Sequence, residues 1–141
     1  VLDDVLDLYE PVAEEKQIRL VKDIGSKLAV KGDADLLFQL FANLLDNAIK
    51  FSPSASEVHI TARMERGELK IVVKDAGPGI PDDEKEHVFR HFYRGDESRG
   101  SEGYGLGLSL VKAVVDKHRA EIALKDGNPG LEVWITLQPY Q

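Results

Sequence analysis

Apolar residues recur at helical spacing at Leu2, Val5, Leu6, Tyr9, Val12 and Ala13. This predicts an amphipathic first helix within residues 1–17, with those side chains facing inward. Residues 19–23 and 28–31 read as two short strands separated by a turn at Gly25 and Ser26. Asp33 is placed to cap a long helix over 34–51, which Ser52 and Pro53 stop. Alternation then takes over: Val58, Ile60, Ala62 and Met64 face inward, while Glu57, His59, Thr61 and Arg63 face out. Glu65-Arg66-Gly67-Glu68 supplies a hairpin turn into a strand over 69–75. A short helix is expected from Pro81. Residues 87–103 keep no period and are rich in Arg, Gly and Ser, as expected of a mobile loop. Residues 106–118 are again helical, and 121–126 with 131–137 form a last hairpin around Gly127-Asn-Pro-Gly130. Trp134 falls on the outward side of its strand. This order predicts an α+β fold: a two-layer sandwich with a mixed, mostly antiparallel sheet and helices on one face.

At 141 residues the chain is large enough for one domain around one core. Its net charge of -7 argues against a nucleic-acid partner, which would need a basic face. An anionic ligand must therefore be met by local positive potential. Without cysteine there is neither a disulfide nor a thiolate metal site. No apolar run approaches the ~20 residues of a membrane span, and no signal peptide is visible. The chain begins at Val1 and its single methionine is Met64, so it is expected to be a piece of something longer.

Three groups of residues carry chemistry. On a helix turning ~100° per residue, Asn43, Asn47 and Lys50 fall within an arc of about 60°. Leu37, Phe38, Phe41, Leu44, Leu45 and Ala48 lie opposite, where they would dock on the sheet. Two carboxamides and an ammonium on one stripe suit a hydrated Mg²⁺ and the phosphates it bridges; they also suit a plain polar face in water. Asp75 ends an apolar strand on the side of Leu69, Ile71 and Val73, the side that must be buried. A buried carboxylate needs hydrogen-bond donors. The exocyclic amine of adenine is one candidate; a turn or cap in Asp75-Ala-Gly-Pro-Gly79 is another. Gly77 and Gly79 leave room for a base. Gly103, Gly105 and Gly107 precede or open a helix, whose N-terminus offers N–H groups to phosphate. In this order the three groups point to an ATP site. No Walker loop, nucleophile elbow or His-Glu-x-x-His pattern occurs.

The combination resembles the catalytic and ATP-binding domain of bacterial sensor histidine kinases, within the gyrase/chaperone/histidine kinase/MutL ATPase superfamily. Residues 43–52 (Asn-Leu-Leu-Asp-Asn-Ala-Ile-Lys-Phe-Ser) resemble its N box, and 75–81 (Asp-Ala-Gly-Pro-Gly-Ile-Pro) its first glycine box. Residues 88–94 (Val-Phe-Arg-His-Phe-Tyr-Arg) resemble the F box, and 103–111 (Gly-Tyr-Gly-Leu-Gly-Leu-Ser-Leu-Val) the second glycine box. The match covers nearly the whole chain and implies one domain over residues 1–141 with a Bergerat-type ATP-binding fold and ATP and Mg²⁺ as cofactors. By that resemblance Asn47, helped by Asn43, holds the metal, Lys50 contacts phosphate and Asp75 reads adenine. Phe51, Gly77, Gly79, Ile80, Gly105, Leu106, Gly107 and Leu108 complete the nucleotide site. Residues 82–104 become an ATP lid anchored by Phe89 and Phe92. Two departures stand out. Arg90-His91 precedes Phe92 where the family more often has an acidic residue and Arg, which shifts the lid's phosphate contact to Arg94. Tyr104 replaces the usual small residue.

The same resemblance implies a protein-histidine kinase whose acceptor histidine is elsewhere. The family's acceptor is followed by an acidic residue, whereas Ile, Val, Phe and Arg follow His59, His87, His91 and His118. The expected partners are an upstream dimerisation and phosphoacceptor domain and, through the full-length kinase, a response regulator. The piece itself is expected to be monomeric, the parent a homodimer. It would be a cytoplasmic domain, with an inner-membrane anchor as a candidate feature of the parent. Rival readings are an ATP-driven conformational switch of the gyrase or chaperone type, a serine kinase of the same superfamily, and a nucleotide-binding regulatory module without transfer activity.

Overall fold

The structure, a computed structural model, describes residues 2–25, 33–78, 105–127 and 130–137, with backbone alone for 105–109. The expected strand over 28–31, the short helix from Pro81 and the loop over 87–103 lie outside these residues.

Helix α1 (Leu2–Glu15) buries Val5, Leu6 and Ala13. Val12, expected inward, is 43% exposed beside Leu8. At 100° per residue Val12 falls at the border of a stripe narrowed to its contacts with its neighbours. Strand β1 (Arg19–Ile24) follows a turn at Gln17, whose φ is 64°. Helix α2 (Ala34–Phe51) starts where Asp33 Oδ1 accepts the Leu36 N–H at 3.1 Å. Its other end is closed by the Ser52 N–H on Ala48 O, and by Lys16 Nζ donating to Ile49 O and Lys50 O at 2.9 and 2.8 Å.

Strands β2 (Glu57–Glu65) and β3 (Glu68–Lys74) form the predicted hairpin. Its two turn residues, Arg66 and Gly67, both have positive φ, 52° and 83°, as a two-residue turn matched to strand twist requires. Helix α3 (Gly105–Lys117) and strands β4 (Glu121–Asp126) and β5 (Leu131–Leu137) complete the described elements. The sheet runs β1-β2-β3-β5-β4, with β1 parallel to β2 and the other pairs antiparallel.

The three described helices serve one face. The core joins Val58, Ile60 and Ala62 of β2, Leu69, Ile71 and Val73 of β3, and Leu131, Val133, Ile135 and Leu137 of β5 to the inner sides of the helices. Both α1 and α3 pack against α2. That explains why α2 also buries Leu40, Ile49 and Asn47, which lie beyond the single docking stripe read from the sequence. Tyr9 of α1 is part of this packing, and burial with the nearby Asp46 carboxylate pushes its phenol up. The opposite face of the sheet carries ion pairs between Arg19 and Glu57 and between Arg63 and Asp23. Exposed pairs of this kind contribute roughly 0–1 kcal/mol. Trp134 lies on that face of an interior strand, its Nε1 donating to Glu132 Oε1 at 2.9 Å and Lys125 Nζ standing 4.0 Å from its ring centre. Among the described residues no helix is long and apolar enough to cross a membrane.

The N-terminus of α2 is held from two sides, because His118 Nε2 also accepts the Asp33 N–H at 2.9 Å. Asp33→Ala removes only the side-chain cap and should cost about 1 kcal/mol. Urea unfolding of the variant measures it; a loss below the error of the method would remove Asp33 from that role.

Candidate functional site

The polar stripe of α2 is not uniform. Asn47 is 7% exposed, and among the described residues its Nδ2 has no hydrogen-bond partner. A buried amide left unsatisfied costs about 1–3 kcal/mol, so the reading of this position as a polar face in water fails. Asn43, one turn earlier, is half-buried and spends its Nδ2 on Gln39 O at 2.8 Å. The other end of that planar amide is an oxygen. Lys50 is exposed, its Nζ 5.6 Å from the Phe51 ring centre.

Asp75 is 4% exposed, as strand alternation required. Its Oδ1 accepts the N–H groups of Gly77 and Leu131, each at 3.0 Å, and its own N–H donates to Leu131 O at 3.0 Å. The bond to Gly77 is a local turn of the kind an aspartate makes two residues on. The turn reading left open by the sequence is therefore realised at one oxygen. Because the backbone itself donates to the carboxylate, its burial does not by itself require a ligand.

Two glycines make this packing possible. A Cβ on Gly130, where φ is 94°, would collide with the Asp75 carbonyl and stand 2.8 Å from Oδ1. A Cβ on Gly77 would collide with the Phe51 carbonyl and stand 3.3 Å from the Phe51 Cβ. Ser52, 1% exposed, accepts the Ala76 N–H on its Oγ at 3.0 Å. The end of α2 is thus clamped to the segment that follows β3, and Asn47 and Asp75 sit on the two clamped elements.

Sequence reasoning missed Ser52, Gly130 and Leu131 as supports. Ser52 was legible only as a helix stop, and Gly130 only as part of a turn. The contact between β5 and Asp75 depends on strand order, which local pattern does not reveal.

Gly105, Leu106, Gly107 and Leu108 form the first turn of α3, so Gly105 and Gly107 lie within the helix rather than in a turn before it. First-turn N–H groups have no partner inside their own helix. Gly79, Ile80 and Arg94, with the expected lid over 82–104, fall outside the described residues. No cluster of three or more candidate metal ligands among His, Cys, Asp and Glu occurs among the described residues. His59 faces outward beside Glu57 at 3.2 Å. His118 has its second ring nitrogen, Nδ1, 2.9 Å from Val114 O.

Residues 32–141 match the family model described as histidine kinase-, DNA gyrase B-, and HSP90-like ATPase. The adaptive-response sensory kinase SasA of Rippkaea orientalis is 40% identical over 122 residues, covering 84% of this chain and 31% of that protein. The sensor-like histidine kinase SenX3 of Mycolicibacterium smegmatis is 37% identical over 126 residues, covering 88% and 33%. The chain therefore spans about a third of the length of these curated relatives. Among solved structures, the mycobacterial sensor histidine kinase MprB superposes with a TM-score of 0.82 at 32% identity, covering 98% of this chain and 93% of that one. Full-length ShkA in complex with AMPPNP gives 0.82 at 29% identity, covering 96% and 28%. The catalytic domain of the histidine kinase ThkA, at 24% identity, shares the fold with a TM-score of 0.87 over 99% and 90%. On the family match, which spans residues 32–141, the chain belongs to the histidine kinase-, DNA gyrase B- and HSP90-like ATPase family.

Proposed function

We propose that this chain is the kinase domain of a two-component sensor, which binds Mg·ATP and presents its terminal phosphoryl group to a histidine on a separate dimerisation domain. The observation that carries this reading is the buried Asn47 side chain, whose Nδ2 has no hydrogen-bond partner among the described residues, on a helix clamped to the segment that bears the buried Asp75. Asp75 fixes the base: its Oδ1 is held by the backbone, and the carboxylate accepts the adenine amine. Asn47 and Asn43 would hold Mg²⁺ through their side-chain oxygens, leaving the Asn47 Nδ2 to donate to phosphate, and the metal would supply neutralisation of phosphate charge. Lys50 adds a charge-assisted contact to phosphate, and the first-turn N–H groups of Gly105, Leu106 and Gly107 serve as further donors. Gly79, Ile80, Leu108 and Arg94 belong to the same proposed set. The complex of ShkA with AMPPNP and the names of SasA and SenX3 favour this reading.

Asn43 favours transfer over hydrolysis, because the resemblance implies that hydrolytic members of the superfamily carry at this helical position a glutamate that activates water. A carboxamide does not act as a general base near neutral pH, so water is not activated at this position. Catalysis then rests on positioning and charge neutralisation, with the nucleophile supplied from outside. Neither described histidine fits that role: His118 is engaged at both nitrogens, and His59 lies on the far face of the sheet. The partner is a phosphoacceptor domain, and downstream of it a response regulator. In this reading the parent is a homodimer, with this domain in the cytoplasm. The switch-type ATPase is the alternative that Asn43 disfavours.

Labelled ATP mixed with this chain and a histidine-bearing helical hairpin should give acid-labile, base-stable label on the hairpin. Rapid phosphate release by the chain alone, with no label on the hairpin, would favour the ATPase. Asp75→Asn keeps an Oδ1 for the two backbone donors but turns the other oxygen into a donor facing the adenine amine. Calorimetry should find ATP binding weakened at least about thirtyfold, the loss of roughly 2 kcal/mol from one hydrogen bond to a charged group, with the fold retained. Unchanged affinity removes Asp75 from base recognition. Asn47→Ala should weaken Mg·ATP about tenfold more than metal-free ATP, as loss of a metal-orienting group does; equal losses contradict the metal role.

A further inference from the structure

The residues proposed to face phosphate sit at an electrostatically awkward place. Asn47 and Lys50 belong to the last turns of α2, a helix of 18 residues ending at Phe51. Aligned peptide dipoles leave about half a negative charge at a helix C-terminus. Anions are ordinarily bound at the opposite, N-terminal end. A triphosphate held here would meet the wrong pole, in a chain whose net charge is already -7.

Lys16 is placed to correct this. Its Nζ donates to Ile49 O at 2.9 Å and to Lys50 O at 2.8 Å, two of the final carbonyls that no helical N–H reaches. The corner that carries it is itself tied down. The Lys16 N–H donates to Ala13 O at 3.1 Å, and Gln17 O accepts the Ala55 N–H at 3.0 Å, so the α1–β1 turn is fastened to the chain just beyond α2. The side chain comes from 33 and 34 residues away in sequence; it is a tertiary tie, not part of the helix's own pattern.

We propose that Lys16 is a positioning residue of the nucleotide site. Its ammonium closes the C-terminal carbonyls of α2, holds the turn that bears Asn47 and Lys50, and cancels the negative pole that the phosphates would meet. This rests on the nucleotide reading above and deepens it. The consequence is specific to charge: Lys16 contributes to binding of the triphosphate and not of the nucleoside.

The test is calorimetric titration of the 141-residue chain with Mg·ATP and, separately, with adenosine, for the native sequence, Lys16→Met, Lys16→Gln and Lys16→Arg. Thermal melting reports on each fold, and the Gln variant, which keeps N–H donors without the charge, stands in if Met does not fold. Lys16→Met should weaken Mg·ATP about three- to tenfold, as the loss of a cation at a helix C-terminus implies, with adenosine changed less than about twofold. Lys16→Arg should restore ATP binding to near the native value. Equal weakening of both ligands, or no weakening of Mg·ATP, overturns the proposal and leaves the nucleotide reading standing. A native chain that binds neither ligand removes the nucleotide reading itself.

Discussion

Burial of the Asp75 carboxylate at the end of β3 is the constraint around which this domain is arranged. A charge that is only 4% exposed demands donors. The fold supplies them from two directions, the N–H of Gly77 just ahead in the chain and that of Leu131 at the start of β5. Each requires a glycine, because backbone must come where a Cβ would sit: Gly77 against Phe51, and Gly130 against Asp75. The Ala76 N–H on Ser52 Oγ completes the tie between strand end and helix end. One carboxylate is thereby linked to α2, β3 and β5, three elements far apart in sequence.

Helix α2 is built to be held at both ends. Asp33 and His118 secure its first turn, and Lys16 and Ser52 secure its last. Between them the helix is buried against the sheet, α1 and α3, so a polar side chain at position 47 ends up inside with its amide nitrogen unpaired among the described residues. A helix fixed at both ends, with the buried Asn47 Nδ2 lacking a partner among the described residues, fits the proposed binding role better than that of an ordinary core helix with a polar edge.

Much of this was legible in the chain. Alternation placed Val58, Ile60 and Ala62 inside and carried Asp75 to the buried side; Asp33 marked the start of α2 and Arg66-Gly67 the hairpin. What failed did so for tertiary reasons. A single helical stripe put Val12 inside and underestimated the burial of Leu40, Asn47 and Ile49, because local period does not say how many neighbours a helix has. The support of Asp75 by Leu131 required knowing that β5 lies beside β3. Lys16 was invisible because a lysine at the end of α1 reads as a solvated charge until α2 is seen beside it.

The central claim is that adenine meets the Asp75 segment while the metal-bound phosphates meet Asn47. Amide NMR of the isotope-labelled chain tests both halves in one titration. Adenosine should move the backbone signals of Ala76, Gly77 and Leu131, and Mg·ATP should move these and also the side-chain amide pair of Asn47. Signals that stay in place at Gly77 and Leu131 under saturating Mg·ATP, with shifts confined to other elements, would contradict the account.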